Sequence, residues 1–355
     1  MSGPERALAT VDLGAIERNC ARLPKPLCAV VKADGYGHGS VAGAALAGGA
    51  EWLAVAAAEE ARALRRQGVE ARILVMGALT RTELVTAIEA EAEVVAWTDH
   101  MAEQAPRVHV KLDTGMGRLG TRDPDEARRV VGGIASSARM GLAGVMTHLA
   151  TADEPDSPFF EEQLERFRPF AQELKRAHPG CIAHAANSAA VLRSGAAHFD
   201  MARCGIAVYG LDPFGEDSAR RDLEPALTLG SYVAEVKPLR AGDSAGYGRT
   251  WSATAGTRIA VLPIGYGDGY RRGLSNAGEV LIRGRRFPVV GTISMDNVTV
   301  EVGNAEVAVG AAATLIGTDG EERVSAEHLA RLLGTINYEV TCGISARVPR
   351  VPLSS

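Results

Sequence analysis

Lys32 stands where an amine could do covalent work. It follows an apolar run and precedes the glycine-rich stretch Ala33-Asp34-Gly35-Tyr36-Gly37-His38-Gly39. Taken alone, it reads as an ordinary strand-end lysine that keeps its ammonium in water. The chemical alternative is a Schiff-base lysine, whose amine must lose its proton and reach a carbonyl in a partly dry site. Other polar residues end or follow apolar runs in the same manner. Arg118 lies just beyond Arg107–Asp113, and His148 closes Met140–His148. Asn187 closes Cys181–Asn187 with Ser188 next, and Arg203 falls within Phe199–Tyr209. This convergence says more than any one residue.

The elements that carry these residues repeat a simple pattern. Besides the four runs just named there are four more apolar, β-branched segments, the first of which carries Lys32: Leu27–Ala33, Trp52–Ala57, Ala71–Gly77 and Ala92–Trp97. Helix-like stretches lie between, such as Glu59–Gln67 and Ser157–Ala177, the latter with Phe160, Leu164, Phe167 and Leu174 near one face. Strands that are almost continuously apolar imply a parallel sheet buried on both sides. Eight strand–helix units in about 220 residues match a (β/α)8 TIM-type barrel. A doubly wound open sheet has the same local pattern and is the alternative. Barrel active sites lie at the C-terminal ends of the strands, where the polar residues fall.

After Asp222 the texture changes to short Val/Ile/Thr-rich segments: Ser231–Val236, Arg258–Pro263, Glu279–Ile282, Phe287–Ile293 and Asn297–Val302. Turns such as Arg283–Arg286 separate them, and only Ser325–Leu333 reads as a helix, capped by Ser325. The division expected is therefore an α/β barrel over 1–222 and a mostly β domain over 223–355.

Composition narrows the function classes. At 355 residues, 46% apolar and with a net charge of -5, the chain has ample core and no basic run for nucleic acid. No stretch approaches a membrane span or a signal peptide. The five cysteines are scattered without CxxC spacing, which argues against a disulfide framework or a metal site. The chain reads as a soluble, cytoplasmic protein that handles a small molecule.

A resemblance sharpens this reading. Ala29-Val30-Val31-Lys32-Ala33-Asp34-Gly35-Tyr36-Gly37-His38-Gly39 resembles the pyridoxal-phosphate attachment segment of alanine racemases, which are fold-type III enzymes. In order along the chain follow His109–Gly120, Thr147–Ala150, Ala186–Ala190 and Arg203–Gly210. Gly246–Trp251, Gly265–Tyr270, Ser294-Met295-Asp296, Ile336–Val340 and Arg347–Arg350 complete the series. Each motif is moderately specific, and their shared order makes the set highly specific.

The resemblance implies an isomerase that interconverts L- and D-alanine and so supplies D-alanine for peptidoglycan. Lys32 then carries the cofactor and acts as one base, and Tyr247 is the base on the opposite face. A phenol needs nearby positive charge to act as a base, a role that His148 and Arg203 suit. Arg203 approaches the pyridine nitrogen; as a charged donor it disfavours protonation there and weakens the electron sink, favouring racemisation over transamination. Tyr36, Ser188, Gly205, Ile206 and Tyr338 hold the phosphate, with Asn187 beside them. Arg118 and the Met295 backbone bind the substrate carboxylate, Asp296 orders that segment, and Lys111, carbamylated in many relatives, orients Arg118. Tyr266 and Tyr270 narrow the entrance to a small side chain. Tyr247, Tyr266, Met295 and Asp296 serve the site of the partner in a homodimer. Two departures stand out: Ser294 in place of a frequent cysteine and Gly267 in place of a frequent alanine. The competing readings are a serine or broad-specificity racemase and a non-catalytic pyridoxal-phosphate-binding protein.

Overall fold

The computed structural model describes residues 5–98 and 105–353. Eight parallel strands form one sheet: β2 (Leu27–Val30), β3 (Trp52–Val55), β4 (Arg72–Val75), β5 (Glu93–Ala96), β6 (Val108–Lys111), β7 (Leu142–Met146), β8 (Ile182–His184) and β9 (Ala202–Cys204). Each pairs with its neighbour in chain order, except that β9 returns to pair with β2. At the remaining seam the Asp200 amide donates to the Ala183 carbonyl and the Arg203 amide to the Ala186 carbonyl, both at 2.9 Å. The sheet is thus a nearly closed barrel, and the open doubly wound alternative is excluded. All eight segments read as strands from the sequence are present. Strands β2, β3, β5 and β6 are buried at every position, as expected where helices cover one face and barrel packing the other.

The helices follow their apolar stripes. Ala58–Arg66 buries Ala58, Ala61 and Leu64. Phe159–Ala177 buries Phe160, Leu164, Phe167, Phe170 and Leu174, and also Gln163, a polar residue on the core face.

By its contacts the chain divides into two compact units. The barrel unit comprises Ile16–Gly35 and Ser40–Val208; the other comprises the described residues through Ala15, Tyr36–Gly39 and Tyr209 onward. The second unit is mostly β. Its largest sheet includes β1 (Leu8–Asp12), a strand absent from the sequence reading, which pairs antiparallel with β10 (Leu227–Tyr232) and parallel with Arg350–Leu353.

Here several expectations need correcting. The segment Ser231–Val236 belongs to two strands. β10 ends at Tyr232, the amides of Val233 and Ala234 bond to Ala311 and Val261, and the chain enters a second sheet at Glu235–Leu239. Phe287–Ile293 stops as a strand at Pro288, and Gly291 adopts φ 74 soon after. Ser325 caps Ala326–Leu333 through the His328 amide as expected, but a second helix, Asn337–Cys342, follows.

Candidate active site

Lys32 sits directly after β2. The Val31 amide still bonds to the Ala54 carbonyl of β3, and then the backbone turns left-handed at Ala33, Asp34 and Gly35, with φ of 53, 52 and 59. Positive φ is costly for residues with a Cβ, so this turn must be held by its surroundings. It leaves the Lys32 side chain half-buried at the rim.

Electrostatics bring four cations of this unit together around one histidine. The pKa of His148 is held well below the ordinary imidazole value by burial first, then by the positive charges of Arg203, Lys111, Arg118 and Lys32. Of the two side chains expected to supply positive charge, Arg203 therefore does so and His148 is neutral. Arg203, only 3% exposed, stays charged at neutral pH although burial lowers its pKa to about 10.

Four acceptors fix the Arg203 guanidinium. Nη2 donates to the carbonyls of Thr147 at 2.9 Å and Ala185 at 3.1 Å, with His148 Nδ1 at 3.4 Å. Nη1 donates to His184 Nδ1 at 2.8 Å. A guanidinium has no lone pair to offer, so His184 Nδ1 must be the acceptor and its proton must sit on Nε2. Nε2 of His184 lies 2.8 Å from His109 Nδ1, and His109 Nε2 lies 2.8 Å from a Glu93 carboxylate oxygen. The proton order runs in one sense, from Arg203 through two neutral histidines to Glu93. Burial lowers the pKa of both rings, consistent with neutral imidazoles. Glu93 also accepts from Arg72 at 2.6 Å, and these partners together outweigh its burial and keep its pKa low.

The loop after β6 carries Arg118. Asp113 folds it by accepting from Gly115 at 3.0 Å, from Gly117 at 3.0 and 3.1 Å, and from Arg122 at 3.2 Å. Arg118 itself is exposed. Lys111, at the end of β6, is 4% exposed; burial, then Arg203 and Arg118, lower its pKa to about 8. Gln163 ties this loop to the next one. Its Nε2 donates to Thr114 Oγ1 at 3.2 Å and to the His148 carbonyl at 3.1 Å, and its Oε1 accepts from Ala150 at 2.7 Å.

At the last two strands, Asn187 caps the helix Ser188–Arg193 through the Ala190 amide at 2.9 Å. Ser188 Oγ accepts from the amides of Gly205 at 3.0 Å and Ala207 at 3.3 Å, which wraps the Gly205-Ile206 backbone around the serine.

The remaining expected residues belong to the second unit. Tyr36 is buried and stacks on Tyr209 with ring centroids 5.0 Å apart, with Tyr338 at 6.0 Å. His38 also stacks on Tyr209, with ring centroids 4.5 Å apart. Tyr247, Tyr266 and Met295 are 73, 40 and 51% exposed. Asp296 pairs with Arg347 at 2.7 Å. Tyr270 does not line an entrance: its ring is buried and its hydroxyl enclosed.

The sequence reading assigned no role to Glu93, His109, His184 or Gln163. A signal was available for one of them. His109 and Lys111 lie two apart in a strand and so share one face, which makes His109 a polar side chain inside the barrel.

The geometry has clear relatives. A model of the alanine racemase N-terminal domain matches residues 11–213, and one of the C-terminal domain matches 226–352. An alanine racemase of Symbiobacterium thermophilum is 45% identical over 99% of this chain and 98% of its own. The crystal structure of alanine racemase from Streptomyces lavendulae, a D-cycloserine producer, superposes with a TM-score of 0.94 at 35% identity, covering 100% of this chain and 98% of that one. The Bartonella henselae alanine racemase, with covalently bound pyridoxal phosphate, gives 0.87 at 26% identity, covering 99% of this chain and 100% of that one.

Proposed function

Because the chain belongs to the alanine racemase family, we propose that it interconverts L- and D-alanine with pyridoxal phosphate attached to Lys32. The observation that carries this reading is Lys32, half-buried at the end of its strand, whose positive charge acts on His148 together with that of Arg203. When bound, the cofactor conjugates the substrate amine to an electron-withdrawing ring and so makes the α-proton removable.

The side chains present fit such a group. Lys32, Lys111, Arg118 and Arg203 act together on His148 and form a positive site suited to an anionic ligand. Ser188 and the Gly205-Ile206 backbone offer a compact set of polar groups for the phosphate, with Asn187, Tyr36 and Tyr338 as further cofactor contacts. Arg203 would hold the ring nitrogen with a donor that cannot accept a proton from it. Its fixed guanidinium supports that role, and neutral His148 steadies the guanidinium edge.

Lys32 and Tyr247 would serve as the two bases, each holding a proton at its own nitrogen or oxygen on opposite faces of the substrate. Arg118 and the Met295 segment would bind the substrate carboxylate, and Asp296, paired with Arg347, would order that segment. The low pKa of Lys111 leaves much of its amine unprotonated near pH 8. That amine can attack carbon dioxide and lose a proton, giving a carbamate anion that pairs with Arg118. The exposure of Tyr247, Tyr266 and Met295 supports a homodimer in which these residues complete the partner's site. Supply of D-alanine to peptidoglycan from the cytoplasm is the role that accords with this activity.

The test is direct. The purified protein should absorb visible light, and borohydride should fix the cofactor on a peptide containing Lys32. L-alanine should become racemic faster than L-serine or L-lysine. A colourless protein that leaves the α-proton of alanine unexchanged would refute the reading.

A further inference from the structure

The carboxylate of Glu60 joins two strand exits of the barrel unit. Its Oε1 accepts from the amide of Ala33, the residue after Lys32, at 2.6 Å. Its Oε2 accepts from Ala56 at 2.8 Å and Ala57 at 3.0 Å, at the start of the helix Ala58–Arg66. The second task is ordinary. An acidic residue at the third helical position commonly reaches back to the amides ahead of its own helix. Capping does not explain the first, which spans 27 positions of sequence.

The Ala33 amide opens the left-handed turn through Ala33, Asp34 and Gly35. Two of these residues carry a Cβ, and each costs about 1 kcal/mol in that conformation. Within the turn, the Gly35 amide bonds back to the Val31 carbonyl at 3.1 Å. A charged acceptor on the first amide gives the turn a fixed point outside itself, and charge-assisted bonds are the stronger kind. That acceptor stands on a helix whose start is tied to β3, the strand paired beside β2.

We infer that Glu60 is a positioning residue for Lys32: one oxygen caps its helix, and the other sets the turn from which the lysine side chain departs. The inference rests on Lys32 being the cofactor-bearing base. A base displaced by even 1 Å can lose about 100-fold in rate, so a residue far from Lys32 in sequence gains control of turnover without touching substrate.

Capping and positioning separate in a double variant. E60A removes both tasks; A57S/E60A restores a side-chain cap to the helix but leaves the Ala33 amide without its acceptor. Thermal unfolding reports the cap. Hydrogen–deuterium exchange of the peptide spanning 31–35, followed by mass spectrometry, reports the turn whether or not cofactor is bound. We expect A57S/E60A to regain most of the thermal stability that E60A loses. Exchange in 31–35 should stay about 10-fold faster than in the wild type, and kcat about 10- to 100-fold lower with KM little changed. E60Q provides a second route should E60A fold poorly. Its single oxygen serves the two cap amides and turns an NH2 toward Ala33, so it should show the same split. Recovery of exchange and kcat together with stability in A57S/E60A would overturn the inference, as would wild-type exchange in E60Q. A wild-type protein that takes no label at Lys32 would instead defeat the cofactor reading, while the exchange comparison would still decide what Glu60 holds.

Discussion

A guanidinium has hydrogens on every nitrogen and no lone pair, so a buried arginine dictates the protons of whatever touches it. Arg203 does this for His184, and through it for His109 and Glu93. H184L removes the acceptor of Nη1 and breaks this order. Urea unfolding should show a loss of about 2–3 kcal/mol, because a buried charged donor is left unpaired; a loss under about 0.5 kcal/mol would mean that the guanidinium finds another partner. Lys111 makes a prediction in pH. Its folded pKa of about 8 lies below the ordinary 10.5. Between these values the unfolded chain binds a proton that the folded one lacks, so stability rises with pH across that window, and the destabilisation is fully present below it. In buffer free of carbon dioxide, the unfolding free energy should climb from about pH 8 to 10. Added bicarbonate should flatten the climb by removing the amine from titration, and K111M should not show it. A wild-type climb unaffected by bicarbonate would argue against the carbamate.

Elements decide how closely loops can approach one another, and here small residues matter most. Gly267 lies in the turn after Gly265, where Tyr266 and Gly267 bond to the carbonyls of Ser294 and Met295. A Cβ at Gly267 would lie 2.5 Å from an Arg347 nitrogen and 3.0 Å from the Met295 carbonyl oxygen. Arg347 also lies 3.4 Å from the buried carboxylate of Asp268, which Arg6 grips with both terminal nitrogens. The glycine thus gives Arg347 room to reach both Asp268 and Asp296. G267A should push Arg347 aside and raise KM for alanine several-fold with a smaller change in kcat; steady-state kinetics will show whether the balance is reversed. The barrel elements were legible because each strand is a short apolar run, and five of the eight runs carry or lead to a polar residue: Lys32, Arg118, His148, Asn187 and Arg203. The second unit was less so. At Val233 and Ala234 the chain changes sheets without any break in hydrophobicity, and β1 is paired by segments more than two hundred residues away in sequence. Gln163 was hidden in the same way, since a polar residue on an apolar helix face gains meaning only from the loops it meets.

At the scale of the molecule, the residues proposed to act on the substrate belong to two units. Lys32, Lys111, Arg118, His148, Ser188 and Arg203 lie in the barrel, whereas Tyr247, Tyr266, Met295 and Asp296 lie in the mostly β unit. Motif order along the chain made both groups legible. Exposure of the second group was not legible, because burial follows from folding and assembly and not from residue type. If two subunits share each site, activity must depend on assembly, and specific activity should fall on dilution through the dissociation range while added cofactor fails to restore it. The most direct measurement mixes two inactive chains, K32A and Y247F, under conditions that exchange subunits. Two-fold symmetry gives each hybrid dimer one site with both bases, so random mixing should restore about a quarter of wild-type activity. Activity that stays at the level of the separate variants, in dimers shown to be mixed, would contradict a site in which Lys32 and the partner's Tyr247 face the same substrate.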